Sequence, residues 1–253
     1  MLKNNKYLKI TNLHNSSILD YKKKILNNKV NIFVNNKKKN IFKEFIKFSK
    51  SFGTELKYNK KPYYKFTETT QRPIGLHTDG VSCLQHKKIP KLIFFYVKKW
   101  PENAEGFFQV SSMKKIISKI PKKYMKILKE QNLQYLNYFS DPKKNLNNQI
   151  SFQKKCLRKV NNHLAMDMFL PLKTINKDHS RWKYQMKFEN ITQKNSKKIL
   201  SKIRSIAENK DCNIKFPLSN EIVMVINNER FFHGREKFSK QVKRTLYRVQ
   251  ILN

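Results

Sequence analysis

The sequence predicts a single, mainly β domain with flanking helices, spanning residues 1–253. The run KLIFFYVKKW at 91–100 is nearly continuously apolar in its middle, as expected of a strand inside a sandwich or barrel. Two further strand signals follow near the C-terminus, EIVMVI at 221–226 and RTLYRVQIL at 244–252. A chain of this length can bury one good core, and no repeat or low-complexity linker divides it.

Two helices and a strand are predicted in the first part of the chain. Ser17 and Asp20 have the spacing of a capping box and indicate a helix, and VNIFV at 30–34 indicates a short strand. Asn40 is expected to cap a second helix that stops at Gly53. The aromatic residues of this helix recur at helical spacing and are assigned to the core: Phe42, Phe45, Phe48 and Phe52.

The central part is predicted to hold a loop, a strand and two helices. The polar, threonine-rich stretch 61–71 is interpreted as a loop, and FFQV at 107–110 as a strand. Ser111 or Ser112 should cap a helix that ends at Pro121, and a further amphipathic helix follows it. The apolar residues of these helices are Ile116, Ile117, Ile120, Tyr124, Ile127 and Leu128.

Beyond these elements the pattern is weaker until a last helix. Asp141 and Pro142 mark a turn, and the segment 143–182 is the least regular part of the chain. Ser196 is expected to begin an amphipathic helix. Its apolar face consists of Ile199, Leu200, Ile203 and Ile206.

The formal net charge of +38 has two interpretations. Such a balance is typical of nucleic-acid binding. However, the lysines recur in nearly every segment and accompany asparagine and isoleucine, which share A/T-rich codons. A binding surface should be one-sided, so genomic bias is favoured and a nucleic-acid partner is not.

The cysteines and the hydropathy pattern indicate a cytoplasmic protein. The three cysteines are isolated, without CxxC spacing, which argues against a disulfide scaffold or zinc ribbon and suits a reducing compartment. They are Cys83, Cys156 and Cys212. No apolar run approaches bilayer length, and the first residues contain no signal-peptide core, so no membrane partner is expected.

The chemistry is predicted to centre on LHTDG at 76–80. His77 and Asp79 are two residues apart, so on an extended strand their side chains point to the same face. His233, in FFHGR, is a candidate third ligand. Two imidazoles and one carboxylate form the facial triad of non-haem Fe(II) oxygenases. Taken alone, HxD also fits a strand-end histidine beside a turn aspartate.

Three segments together give a specific resemblance: LHTDG, EGFFQVSSMKKIISKIP and NNERFFHGREKFSKQVKRTLYRVQI. In this order they resemble the taurine/2,4-dichlorophenoxyacetate dioxygenase (TauD/TfdA-like) family of Fe(II)/2-oxoglutarate enzymes. The matching anchors span 30–251, with poor agreement between 143 and 182, where a substrate-shaping lid is expected. The resemblance implies a clavaminate synthase-like double-stranded β-helix (jelly roll), with His77, Asp79 and His233 as iron ligands.

The resemblance also implies roles for two arginines. Arg244, eleven residues after His233, matches the family arginine that grips the far carboxylate of 2-oxoglutarate. Arg248 matches an arginine that faces an anionic substrate, although it could instead hold the 2-oxoglutarate carboxylate beside the iron or pair with an acid. Phe108 stands where the family has a threonine that contacts 2-oxoglutarate. Gln109, Ser111 or Ser112 could substitute for that contact.

The implied activity is hydroxylation of a small, possibly anionic molecule, with Fe(II) as metal and 2-oxoglutarate and O2 as co-substrates. Secondary-metabolite tailoring and sulfonate or carboxylate metabolism are the expected settings, and a homo-oligomer is left open. Two alternatives stand beside this prediction. One is a nucleic-acid-directed 2-oxoglutarate demethylase, although such enzymes carry two arginines six residues apart, not four. The other is a catalytically degenerate binding protein of the same fold.

Overall fold

The computed structural model describes residues 8–12, 29–34, 41–80, 89–101, 106–136, 150–170 and 185–252. Within these ranges the chain is mainly β, with four helices. The strands are β1 (Leu8–Asn12), β2 (Val30–Val34), β3 (Tyr64–Thr70), β4 (Ile74–His77), β5 (Leu92–Lys99), β6 (Phe108–Ser112), β7 (Asn132–Leu136), β8 (Ile150–Lys155), β9 (Leu157–Val160), β10 (His163–Met166), β11 (Gln185–Phe188), β12 (Asn213–Phe216), β13 (Ile222–Asn227), β14 (Phe231–Arg235) and β15 (Val242–Ile251). The helices are α1 (Ile41–Lys50), α2 (Met113–Lys119), α3 (Lys122–Glu130) and α4 (Gln193–Glu208).

Two sheets enclose the centre of the molecule. One has six strands in the order β1-β2-β13-β5-β15-β3, and the other has four in the order β12-β6-β14-β4. A single apolar cluster takes side chains from both sheets, including Phe95 and Leu246 from the first and Val110 and Phe231 from the second. The inner faces of the two sheets therefore pack against each other, and the burial of this cluster supplies much of the driving force for folding.

Helices cover the outer faces of the sheets. Helix α1 lays Phe45 and Phe48 on Phe94 and Val249 of the six-stranded sheet. Helices α2, α3 and α4 share a second cluster with Phe232 of the four-stranded sheet. That cluster also packs against the three-stranded sheet β11-β7-β8 and the hairpin formed by β9 and β10. No helix in the described ranges is long and apolar enough to cross a membrane.

Most predicted elements in the described ranges are confirmed. The strands predicted at 30–34, 91–100, 221–226 and 244–252 appear as β2, β5, β13 and β15. The strand predicted at 107–110 appears as β6, displaced by one residue at its start. The predicted helix with the aromatic face is α1, whose Phe45 and Phe48 are buried. Ser112 is the N-cap residue of α2, although its side chain makes no capping hydrogen bond.

The loop predicted at 61–71 is wrong, because Tyr64–Thr70 forms β3. This strand pairs with β15 along its whole length and is an edge of the six-stranded sheet. An edge strand has one unpaired side and tolerates polar residues, so its hydrophobic signal is weak. Its aromatic residues alternate with polar ones, a pattern of period two that indicates a strand.

The start of the last helix was also predicted wrongly. Helix α4 begins at Gln193, and Thr192 is its N-cap, with Oγ1 accepting a hydrogen bond from the backbone N–H of Asn195. Ser196 lies inside the helix and is fully buried, where its hydroxyl accepts from the backbone N–H of Phe188. The serine therefore ties α4 to β11 and does not begin the helix.

Several predictions fall outside the described residues. These are the helix that opens at Ser17–Asp20, the cap at Asn40 and the turn at Asp141–Pro142. The irregular segment 143–182 is described only between 150 and 170, where it forms β8, β9 and β10. Strand β8 pairs with β7, so this portion is an integral part of a sheet.

Candidate metal centre

Sheet pairing places two histidines side by side. His77 is the last residue of β4 and the register partner of His233 on β14. Paired residues on antiparallel strands project from the same face, and here the two ring centroids are 4.4 Å apart. Val110 is the partner of His233 on the other side, so both imidazoles face the space between the sheets.

Asp79 completes the group from the turn that follows β4. Its Oδ1 lies 3.6 Å from Nε2 of His77 and 3.7 Å from Nε2 of His233. Among the described histidine, cysteine and acidic residues, these are the only three side chains clustered closely enough to hold a metal ion. The three residues that the sequence predicted as ligands are therefore brought together.

Asn228 holds the backbone of this turn. Its Oδ1 accepts from the Asp79 N–H at 2.9 Å, and its Nδ2 donates to the carbonyls of Asp79 and Pro90 at 3.1 and 2.8 Å. Gly80 follows with φ +88, a left-handed conformation that a side chain would strain. The turn is thus fixed by one fully buried amide and one glycine.

We expect Asn228→Ala to destabilise the protein by about 1–3 kcal/mol for each buried backbone group left without a partner. Urea unfolding would measure the loss in free energy of unfolding. Asn209→Ala serves as a control, because Asn209 caps the C-terminus of α4 at the surface and accepts there from Asp211. Equal stability of the Asn228 variant and the parent would contradict this role.

His77 presents one nitrogen to the centre. Its Nδ1 lies 2.8 Å from the carbonyl oxygen of Gly75, which can only accept, so the neutral ring carries its proton on Nδ1. Nε2 is then a lone-pair donor facing Asp79. Phe169 stacks on the other face of the ring, with centroids 5.1 Å apart. The stacking of Phe169 and the hydrogen bond to the Gly75 carbonyl together fix the orientation of the imidazole, as in established metal sites.

His233 is enclosed by apolar rings. It is 3% exposed and lies against Phe95 and Phe108, whose centroids are 5.9 and 6.3 Å from its own. Burial is the main cause that lowers its pKa to about 3. The ring is therefore neutral at physiological pH and able to bind a cation through nitrogen.

Glycine 234 allows β14 to approach β4 closely. A Cβ at this position would lie 2.7 Å from the carbonyl oxygen of Ile74 and 3.0 Å from that of Gly75. We expect Gly234→Ala to cost about 1–3 kcal/mol in unfolding free energy, the usual cost of overpacking. Thermal and urea unfolding would measure it, and a loss under ~0.5 kcal/mol would show that β4 can shift freely.

The two oxygens of Asp79 have different surroundings. Oδ2 accepts from Nη1 of Arg248 at 3.0 Å and from Nε2 of Gln250, whereas Oδ1 faces the two imidazoles. Burial alone would raise the pKa of this carboxyl, but the guanidinium of Arg248 beside it holds the pKa well below its usual range. Asp79 is therefore an anion, with one oxygen directed at the histidines.

This donor set fits a divalent metal ion. Two imidazole nitrogens and one carboxylate oxygen converge, and a cation between them would stabilise lone pairs that face one another. Metal–ligand bonds of about 2.1 Å place adjacent octahedral ligand atoms about 3 Å apart, so small side-chain movements would complete the shell. Such a set occupies one face of the ion and leaves other positions open, as in non-haem Fe(II) oxygenases.

The two predicted arginines share a face of β15. Even-numbered residues of β15 point into the space between the two sheets, because Leu246 belongs to the apolar cluster there and Gln250 donates to Asp79. Arg244 is therefore directed inward and is 4% exposed. Arg248 lies on the same face and forms an ion pair with Asp79, which matches one of the alternatives that the sequence left open.

Two of the three residues suggested as substitutes for the family threonine, Gln109 and Ser111, are not brought to the centre. Gln109 and Ser111 are register partners of Gly234 and Phe232, so they project from the face opposite His233. There they interact with Asn213 on β12, and the Ser111 hydroxyl donates to the carbonyl of Ala207 in α4. The strand alternation of β6 excludes them from the metal side of the sheet.

Sequence reasoning missed four residues of this centre. Asn228, Phe169, Gln250 and Tyr58 all contact the triad or its immediate partners. Gln250 had a usable signal, because it lies two residues after Arg248 and so shares its strand face. The other three come from loops or distant strands, where sequence spacing carries no information about contact.

The chain matches the family model described as taurine catabolism dioxygenase TauD, TfdA family, over residues 38–250. No curated protein sequence matches it significantly.

Solved structures of low sequence identity share the fold. PvcB from Pseudomonas aeruginosa, described as an Fe, alpha-ketoglutarate dependent oxygenase from an isonitrile synthetic pathway, superposes with a TM-score of 0.73 at 12% identity, covering 97% of this chain and 86% of that one. A taurine dioxygenase from Burkholderia xenovorans gives 0.62 at 13% identity, covering 93% and 81%. AAD-2, in complex with Mn(II) and N-oxalylglycine, gives 0.69 at 9% identity, covering 97% and 93%.

The family match spans most of the chain and includes every residue of the centre described above. The structural likeness independently agrees with the mainly β architecture and its paired sheets. The chain therefore belongs to the TauD/TfdA family of dioxygenases.

Proposed function

We propose that Nε2 of His77, Nε2 of His233 and Oδ1 of Asp79 hold Fe(II). The observation that carries this proposal is the difference between the two carboxylate oxygens of Asp79. Oδ2 accepts hydrogen bonds from Arg248 and Gln250, whereas Oδ1 faces both imidazoles. We further interpret the facing six- and four-stranded sheets as a double-stranded β-helix, or jelly roll.

Bound iron with 2-oxoglutarate and O2 supplies oxidative decarboxylation to succinate and CO2, coupled to hydroxylation of a substrate. The residues of the chain bind and orient. His77, Asp79 and His233 would supply three ligands and leave open positions on the ion for the co-substrate and O2. The aromatic rings of Phe95, Phe108 and Phe169 pack around the histidines and would limit water at a bound metal ion, which would strengthen electrostatic contacts there.

Arg244 is the proposed partner of the far carboxylate of 2-oxoglutarate. It is buried, inward-facing and on the same strand face as the residues that contact Asp79. A dianion entering a dry pocket requires a fixed partner, and a guanidinium can form two parallel charge-assisted bonds with a carboxylate. The ring of Phe108 fills the position where the family has its threonine, so the threonine contact is not available from that residue.

The proposed substrate is a small molecule in a tailoring or degradative reaction. Contact between Arg248 and an anionic substrate stays a prediction. Both terminal nitrogens already have contacts that would compete with a substrate, because Nη1 donates to Asp79 and Nη2 lies 3.5 Å from the Tyr58 hydroxyl. The segment 143–182 contributes Phe169 beside His77, which supports its involvement in shaping the substrate site. We place the reaction in the cytoplasm, in keeping with the isolated spacing of the three thiols in the sequence, of which Cys156 and Cys212 are buried.

Metal binding tests this assignment directly. Titration of the protein with Mn(II), followed by electron paramagnetic resonance, should show one tight site whose affinity rises when 2-oxoglutarate is added, since the two ligands share the metal. Turnover should then be screened with sulfonates, carboxylates and uncharged analogues. A protein that binds no Mn(II), or one whose activity requires single-stranded DNA or RNA with a steep salt dependence, would contradict the proposal.

A further inference from the structure

Asp79, Gln250, Tyr58 and Arg248 form a closed ring of hydrogen bonds. The Tyr58 hydroxyl donates to Oε1 of Gln250, and Nε2 of Gln250 donates to Oδ2 of Asp79. Nη1 of Arg248 donates to the same Oδ2, and its Nη2 donates to the Tyr58 oxygen at 3.5 Å. The ring joins three parts of the chain that are distant in sequence, namely the loop after α1, the turn after β4 and the end of β15.

Residues outside this ring of hydrogen bonds hold Gln250 and Arg248 in place. Gln250 is 1% exposed, and its strand β15 pairs on one side with β5. The Arg248 guanidinium lies among three aromatic rings, with Cζ 5.0 Å from the Phe66 centroid and 5.9 Å from those of Tyr58 and Tyr64. Such cation–π contacts favour the guanidinium in this place and orient its nitrogens toward Asp79.

We propose that Gln250 and Tyr58 are positioning residues that, together with Arg248, restrict Asp79 to a single metal-binding oxygen. This inference rests on the proposed metal site. The amide of Gln250 is polarised by its bond from Tyr58, which sets its NH2 group toward Oδ2 and excludes the flipped orientation that would place Oε1 against the carboxylate. Oδ2 is thereby occupied, and Asp79 offers only Oδ1 to the histidines.

One-oxygen binding matters for this reaction. An octahedral ion with three single-atom protein ligands retains three positions, two for a chelating 2-oxo acid and one for O2. If Oδ2 also coordinated, only two positions would remain, and the co-substrate and O2 would compete. The ring therefore does more than stabilise the turn, because it preserves the coordination positions that the chemistry requires.

Gln250→Leu and Tyr58→Phe test the proposal in the full-length protein. We expect Gln250→Leu to weaken Mn(II) binding about tenfold, as loss of outer-shell partners does, and to broaden the resonance of bound Mn(II) because the carboxylate samples more than one geometry. Tyr58→Phe should act in the same direction with a smaller effect. Because Tyr58 acts through Gln250, the double variant should lose less than the product of the two single losses.

Two control variants match these changes. Gln134→Leu replaces another buried strand glutamine, whose amide donates to Gln153 in the separate three-stranded sheet. Tyr124→Phe removes a hydroxyl from a half-buried tyrosine of α3, which packs against the cluster formed by the helices and is remote from the ring. Neither control should alter Mn(II) affinity or line shape by more than about twofold.

The outcomes separate this inference from the proposed function. Failure of the parent protein to bind Mn(II) would overturn the metal site itself. Normal binding by the parent, with affinity and line shape unchanged in both Gln250→Leu and Tyr58→Phe, would overturn the positioning role alone. If Gln250→Leu does not fold, Tyr58→Phe decides between these outcomes, because it removes only the hydroxyl group and keeps the aromatic side chain. Fully multiplicative losses in the double variant would also overturn the proposed order of action.

Discussion

His77→Ala is expected to abolish both metal binding and succinate production. The substitution removes one of three ligand atoms, and its effect should exceed the roughly 10- to 100-fold loss that outer-shell changes cause. His77 is the ligand whose side chain is most exposed, at 17%, so its removal should disturb the core less than loss of His233 would. Mn(II) titration and succinate release would measure the two losses.

A matched histidine controls for nonspecific effects of this change. His163 lies on β10, is partly buried and is not part of the metal group, so His163→Ala should retain Mn(II) binding. Circular dichroism and thermal unfolding should show that both variants are folded. Unaltered Mn(II) affinity in a folded His77→Ala protein would show that the converging side chains are a structural cluster and not a metal site.

Arg244→Ala is expected to lose about 2–5 kcal/mol of 2-oxoglutarate binding, the usual result of truncating one partner of a desolvated charge pair. The metal ligands are untouched, so Mn(II) affinity without co-substrate should stay close to that of the parent. Arg244→Lys should recover part of the loss, because it retains a charge but not the two parallel bonds. Titration with 2-oxoglutarate in the presence of Mn(II) would measure each affinity.

The neighbouring lysine supplies a control of equal charge. Lys243 precedes Arg244 on β15 but is exposed and points to the opposite face. Lys243→Ala removes one positive charge from the same strand and should leave 2-oxoglutarate affinity unchanged. Equal affinities in Arg244→Ala and Lys243→Ala would overturn the assignment of Arg244 to the co-substrate.

The sequence predicted those strands that are buried by apolar side chains. β5 and β13 are almost wholly buried, and their apolar runs are long enough to be unambiguous. β3 was missed because an edge strand needs little apolar character, and its pairing with β15 is a property of two distant segments. Thr192 and Ser196 both have a hydroxyl that can cap a helix, so the sequence does not distinguish them. In the structure Thr192 caps α4, whereas the Ser196 hydroxyl accepts from Phe188 on β11.

The site was predictable where it depends on residue type and local spacing. His77 and Asp79 are near neighbours in sequence, and the family resemblance pointed to His233, which the structure brings beside them. Tyr58 and Asn228 could not be inferred, because their contacts with the site arise from tertiary packing over long sequence separations. Gln109 and Ser111 were wrongly expected at the site, because they lie next to the family threonine position in the sequence. Strand alternation on β6 directs their side chains to the opposite face of the sheet.

Uncoupled turnover is the measurement that tests the central claim most directly, because it needs no knowledge of the substrate. The purified protein, supplied with Fe(II), O2 and 2-oxoglutarate, should release succinate, and His77→Ala should not. Release should also fall when O2 is removed or when Fe(II) is replaced by a redox-inert ion such as Zn(II). Absence of succinate from a folded, metal-binding protein, both alone and with the panel of small-molecule substrates, would contradict the account and favour a binding protein of the same fold.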